Sequence, residues 1–125
     1  RHDAVCAVDA AFHQATRIGE PVRAVFERGV AAYAAQGFPD EWTLHHQGGP
    51  CGYQGRDYLG SPTAAGTVQE NQPFAWNPSI TGTKAEDTIL ATRRGPQVIT
   101  AAQDWPMVGV DCEGKTVLRP DILVR

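Results

Sequence analysis

Two stretches of helical periodicity open the chain. Val5, Val8, Phe12 and Ala15 recur every three to four residues, which places them on one face of a first helix. Val22, Val25, Phe26, Gly29 and Tyr33 repeat that spacing and predict a second. Pro21 suits the start of the second helix, because a first turn has no use for the N–H that proline lacks. Gly37 and Pro39 mark its end: glycine accepts the left-handed backbone that closes a helix, and proline cannot continue one. Gly19 lies in the intervening turn, and the alanines over 31–35 favour helix and close packing. Beyond Pro39 short apolar runs alternate with Gly, Pro, Asn and Asp. They predict strands over Trp42–His46, Phe74–Trp76, Thr83–Ala91, Gln97–Thr100, Thr116–Leu118 and Ile122–Val124. Residues 47–72 are rich in glycine and predict a long loop, of a length that is often functional or mobile. Two helices followed by an antiparallel meander give an α+β fold.

Composition narrows the function classes. The 125 residues fit one domain, and the net charge of −3 gives no electrostatic reason to expect nucleic acid. Arg93-Arg94 is too short to change that and is expected in a solvated turn. No apolar run reaches the length of a membrane span, so no membrane association is expected. Cys6, Cys51 and Cys112 are far apart, with no CxxC pair, which predicts reduced thiols in a cytoplasm rather than a zinc site. Trp42, Trp76 and Trp105 are expected in the core. The start at Arg1-His2-Asp3 suggests a single domain, 1–125, that is part of a longer chain.

The candidate chemistry lies in three motifs. The first is Trp42-Thr43-Leu44-His45-His46-Gln47-Gly48-Gly49. Neighbours on a strand face opposite sides, so only one of the two histidines can point into a site. The second is Phe74-Ala75-Trp76-Asn77-Pro78-Ser79-Ile80, and the third Lys84-Ala85-Glu86-Asp87-Thr88, in which Lys84, Glu86 and Thr88 share one face. The ordinary readings are a packed histidine and a solvated glutamate. Cys51, near His46 and Asp57, has no helix N-terminus to lower its pKa, so a thiol nucleophile is not expected. Arg56 and Asp57 predict a surface ion pair.

Taken in order, the three motifs resemble the second half of the pita-bread metallopeptidases: methionine aminopeptidases, Xaa-Pro aminopeptidases, prolidases and creatinase. The resemblance covers residues 1 to 100. It implies two N-terminal helices packed on a curved antiparallel sheet, and hydrolysis of an N-terminal or Xaa-Pro bond by a metal-bound hydroxide. It places His46 and Glu86 at metal-ligand positions, Glu86 as a bridging carboxylate. Tyr53 stands where a substrate-contacting histidine is expected, and Asn77 where a metal-binding glutamate is. A carboxamide offers a neutral oxygen, while hard divalent ions are held largely by anionic ones. A phenol cannot shuttle protons near neutral pH as imidazole does. The two aspartates of the family's ligand set have no counterpart, since Asp3 and Asp9 fall in the first predicted helix.

These residues favour a peptidase-like domain that has lost hydrolysis and binds a small molecule, peptide or protein through a pocket of His46, Tyr53, Asn77 and Glu86. No cofactor is expected; Mn²⁺, Co²⁺ or Zn²⁺ is what the resemblance implies for a working site. Two alternatives stand beside it: the C-terminal catalytic part of an Xaa-Pro aminopeptidase, dipeptidase or creatinase-like hydrolase, and an assembly domain. Unpaired strand edges predict a homo-oligomer with its contact near residues 74–91.

Overall fold

Both predicted helices form, and α1 (His2–Ala15) and α2 (Val22–Ala35) pack on each other. The computed structural model describes all 125 residues. Gly29 on α2 lets the helices touch: a Cβ there would lie 2.0 Å from the Phe12 ring. The predicted stripe of α1 is buried, but so are Cys6, Asp9 and His13 on a second face. Helix α1 is therefore covered on two sides, a burden its apolar spacing alone does not reveal.

Eight short strands follow. A four-stranded antiparallel sheet has the order β1 (Gly48–Pro50), β2 (Pro73–Trp76), β5 (Asp87–Thr92), β6 (Gly95–Val98). Hairpins β3 (Ser79–Ile80)–β4 (Thr83–Lys84) and β7 (Met107–Cys112)–β8 (Lys115–Pro120) flank it. Phe12 stacks on Trp76 with ring centroids 4.6 Å apart, and Phe74 lies 5.8 Å beyond. The buried Trp76 indole donates to the Thr16 hydroxyl at 2.9 Å, so its one polar atom is satisfied where it is dry. The architecture is α+β, as the patterning predicts.

Several expected elements differ. Trp42–His46 is not a strand. Glu41–Leu44 is a 3₁₀ turn, fastened by the Thr43 hydroxyl on the Asp40 carbonyl at 2.7 Å. Trp42 is apolar because its ring packs edge-on against Phe26, 5.6 Å away. The 83–91 strand is interrupted at Ala85–Glu86, where the Ala85 N–H turns to the Pro78 carbonyl. Alternation survives the break: Ala85, Asp87 and Ile89 are buried, while Glu86 is exposed. The Gln97–Thr100 strand slides back to Gly95–Val98, and Thr116–Leu118 extends to Lys115–Pro120. Ile122–Val124 joins no strand and is exposed. The expected loop over 47–72 contains β1, whose Gly48 has φ +88°; a Cβ there would meet the Ala75 carbonyl at 2.0 Å. Arg93 and Arg94 occupy the β5–β6 turn. Strands β2 and β5 are paired on both sides, so residues 74–76 and 87–91 offer no free edge to a second chain.

Candidate functional site

Adjacent strand ends bring three of the four candidate residues to one end of the sheet. Asn77 directly follows β2, His46 lies two residues before β1, and Glu86 directly precedes β5. Strand β2 runs between β1 and β5, with Gly48 opposite Trp76 and Trp76 opposite Asp87. The Asn77 N–H closes on the Gln47 carbonyl at 3.0 Å. Tyr53 is not brought in. It lies fully exposed in the irregular segment after β1.

The side chains at that end are already engaged. Gly48 N–H donates to His46 Nδ1 at 3.1 Å. Lys84 Nζ lies 2.8 Å from Glu86 Oε2, and Arg56 Nη2 lies 3.1 Å from Glu86 Oε1. Arg56 Nε also donates to the Ala75 carbonyl at 3.0 Å, which fixes the guanidinium across the end of β2. Partial burial pushes the Glu86 carboxyl up, but Lys84 and Arg56 outweigh it and hold the group below its ordinary range. The expected Arg56–Asp57 pair is replaced by Arg56–Glu86. Asn77 is buried, and its Oδ1 has no hydrogen-bond partner.

A divalent ion does not fit this set. No group of three or more His, Cys, Asp or Glu side chains is arranged to hold a metal. Each oxygen of Glu86 already faces a cation, and Arg56 would repel a second positive charge placed beside it. Asn77 contributes a neutral oxygen where charge neutralisation is needed.

Two further arrangements were not foreseen from sequence. His45 Nδ1 sits 2.6 Å from the His46 carbonyl oxygen, and its Nε2 meets the Ser79 hydroxyl. That is the geometry of a hydroxyl beside a base with a third group orienting it. An oxyanion hole is missing, however: the Ser79 N–H is committed to the Tyr33 oxygen and the Thr81 N–H to Glu41. Cys51 is not activated either, since burial pushes its thiol up.

The second arrangement is a buried ionic cluster. Arg119 is wholly buried; its Nη2 lies 2.6 Å from Asp9 Oδ2 and 2.7 Å from Asp87 Oδ2. The Thr100 hydroxyl donates to Asp87 Oδ1 at 2.6 Å. Asp9 Oδ1 and His13 Nε2 face each other at 3.4 Å, and neither has another partner. Burial pushes Asp9 up to about 7 against the pull of Arg119, with Asp87 adding to the rise. Burial, then Arg119, pushes His13 down to about 3. One guanidinium between two carboxylates leaves a surplus negative charge, and a proton on Asp9 removes it. The cluster ties β8 to α1 and to β5. Beside it opens a half-enclosed cavity of about 370 Å³, walled by Val98, Trp105, Met107 and Leu118. Trp76 is in the core as expected, but Trp105 is 43% exposed on this cavity.

No protein-family model matches the sequence, and no curated protein does. Solved structures do. A dipeptidase from Pyrococcus horikoshii superposes with a TM-score of 0.71 at 18% identity, over 82% of this chain and 30% of that one. An X-Pro aminopeptidase from Thermotoga maritima gives 0.68 at 15% identity, over 81% and 30%. The N-terminal domain of FACT complex subunit SPT16 from chickpea, Cicer arietinum, gives 0.66 at 15% identity, over 80% and 28%. The chain thus has the fold of the pita-bread peptidases, and it spans less than a third of the length of these neighbours.

Proposed function

We propose that the chain is a peptidase-like domain that has lost metal-dependent hydrolysis and binds a small molecule, a peptide or a protein partner through the end of its four-stranded sheet. One observation carries this reading: Glu86, at the bridging-carboxylate position, is held by Arg56 and Lys84 instead of standing free for a metal. Asn77, buried beside it, replaces the other carboxylate and leaves its Oδ1 without a partner. Arg56, fixed across the end of β2, is a cation for a ligand carboxylate. The fold leaves room for such a role, since one neighbour is named as a complex subunit and two as peptidases. A cytoplasmic setting agrees with three unpaired cysteines. No helix is long and apolar enough to cross a membrane.

The test is turnover of Xaa-Pro and Met-Xaa peptides with Mn²⁺, Co²⁺ or Zn²⁺ added. The expected result is no turnover above a buffer control. Turnover that vanishes in both His46→Ala and Glu86→Ala would overturn the reading in favour of a working aminopeptidase or dipeptidase.

A further inference from the structure

The two edges of the four-stranded sheet are finished differently. Strand β1 forms one edge and β6 the other. On β1 the chain itself takes the outward carbonyls: the Gly60 N–H donates to Gly48 at 2.8 Å and the Asp57 N–H to Pro50 at 2.9 Å. Strand β6 has no such cover. The Ile99 N–H donates to the Thr88 carbonyl at 2.9 Å, so Ile99 turns its N–H toward β5. Backbone groups alternate along a strand, and Pro96 and Val98 therefore turn theirs to the open side. No turn or loop bond reaches them. Pro96 has no N–H to offer, which blunts its part of the edge. Val98 keeps both a donor and an acceptor.

The half-enclosed cavity opens along this same edge. Val98 shares the inner face of the sheet with its partner Ile89, which is buried. Thr100, two residues on, lies on that side with its hydroxyl on Asp87. The cavity of about 370 Å³ lies between these residues and the β7–β8 hairpin, with Trp105, Met107 and Leu118 as its other walls. Its volume is within the range of about 300–1,000 Å³ seen for ligand pockets. Its polar groups are already satisfied: Thr100 donates to Asp87, and Asp87 accepts from Arg119. Walls of this kind take a neutral apolar group. The indole N–H of Trp105 donates to the Asp121 carbonyl at 2.9 Å, which holds that wall in place.

We propose that β6 receives an extended peptide as a fifth strand, with one apolar side chain of that peptide seated in the cavity. Neither feature alone selects the occupant. The outward N–H and C=O of Val98 are matched by another extended backbone. Every second side chain of an incoming strand faces the inner side of the sheet, where the cavity lies. A free apolar molecule fills the cavity and leaves the edge unpaired, whereas a peptide satisfies both. The proposal stands whether or not the sheet end at Glu86 binds a ligand.

The probes are acetylated, amidated threonine heptapeptides with phenylalanine, leucine or methionine at the centre. They are titrated into the isotope-labelled whole chain up to about 1 mM, the weak end of measurable affinity. At least one should give saturable shifts of the Val98 and Thr100 amide resonances and slow Val98 amide exchange about tenfold or more. Of the two forms of that peptide N-methylated at alternate residues, the one blocked on the pairing edge should bind about tenfold more weakly. Val98→Pro removes the outward N–H, leaves the ladder to β5 intact, and should weaken binding by a similar factor. Leu118→Lys places a charge in the cavity wall at a 60% exposed position and should do the same with an unchanged melting curve. No shift with any of the three peptides overturns the proposal. Equal binding of the parent and both N-methylated forms overturns it in favour of a small apolar ligand in the cavity. Shifts confined to His46, Asn77 and Glu86 overturn it by assigning the peptide to the sheet end.

Discussion

Glu86 and Asp87 are neighbours in sequence and opposites in environment. Glu86 lies on the outward side of the sheet, where Lys84 and Arg56 pair with it directly at a part-exposed position. Asp87 points inward to a guanidinium that solvent never touches. A strand turns successive side chains to opposite faces, so one step along the backbone separates a screened surface pair from a buried cluster. The outward carboxylate stands where the sequence resemblance implies a metal ligand. The inward one fastens the β7–β8 hairpin. Position in a motif and contribution to the molecule are therefore different things here, and they separate in experiments.

The largest effect is expected from Arg119→Met. It leaves Asp9 and Asp87 buried without their cation, a change that typically costs about 3–5 kcal/mol. For a chain of this size the melting temperature should fall by roughly ten degrees or more. Adding Asp87→Asn to that variant removes the carboxylate left without its cation and should recover part of the loss. Thermal unfolding followed by circular dichroism decides both points; a melting temperature unmoved by Arg119→Met would contradict the buried-cluster account.

The next effect is a pH dependence that single substitutions unmask. Asp9 holds its proton in the folded state up to about 7, above its ordinary 3.8. Folding therefore takes up a proton between those values, and Asp9 favours the folded state increasingly as pH falls through that window. His13 works the other way. It stays neutral in the folded state down to about 3, against an ordinary 6.5, so falling pH favours the unfolded chain. Between pH 4 and 6.5 the two slopes oppose, each at about 1.4 kcal/mol per pH unit for one whole proton. The groups facing Asp9 are Arg119 from β8, Asp87 from β5, and Cys6 and His13 from α1 itself. The His13→Gln variant should gain stability on acidification from pH 7 to 4. The Asp9→Asn variant should lose stability from pH 6.5 downward. Urea midpoints at several pH values would show the crossing, and parallel profiles in the two variants would contradict it.

Glu86→Gln should do least. Its carboxylate is 41% exposed, and pairs so placed contribute under about 1 kcal/mol. The depressed Glu86 carboxyl loses its contribution only as pH falls below its ordinary 4.5. A destabilisation as large as that of Arg119→Met would erase the contrast between the two faces.

Much of this was legible in the chain. The helices are marked by apolar spacing and by Pro21, Gly37 and Pro39, and β2 and β5 by apolar side chains. Strand β1 was not, because Gly48 and Gly49 have no side chains to alternate; what marks them is the close approach to Ala75 and Tyr58 backbone. Strand β7 was hidden by Gly109 and Asp111 on its outward face. Trp42 was misread because packing on Phe26 and strand membership both select an apolar residue. His46, Asn77 and Glu86 lie at one end of the sheet, yet nothing in the pattern signals that Arg56 takes Glu86 rather than Asp57. The buried cluster was out of reach. Arg119 stands in an alternating strand like any surface residue, and its partner Asp9 is 110 positions away. Only the fold brings them together.

We propose that the end of the sheet offers no metal site, because Lys84 and Arg56 hold Glu86 and Asn77 supplies only a neutral oxygen. Calorimetric titration of the unaltered chain with Mn²⁺, Co²⁺ and Zn²⁺ measures this directly. No stoichiometric binding tighter than millimolar is expected, and only a modest gain in the Asn77→Glu variant. Stoichiometric sub-micromolar binding that disappears in Glu86→Ala would contradict it.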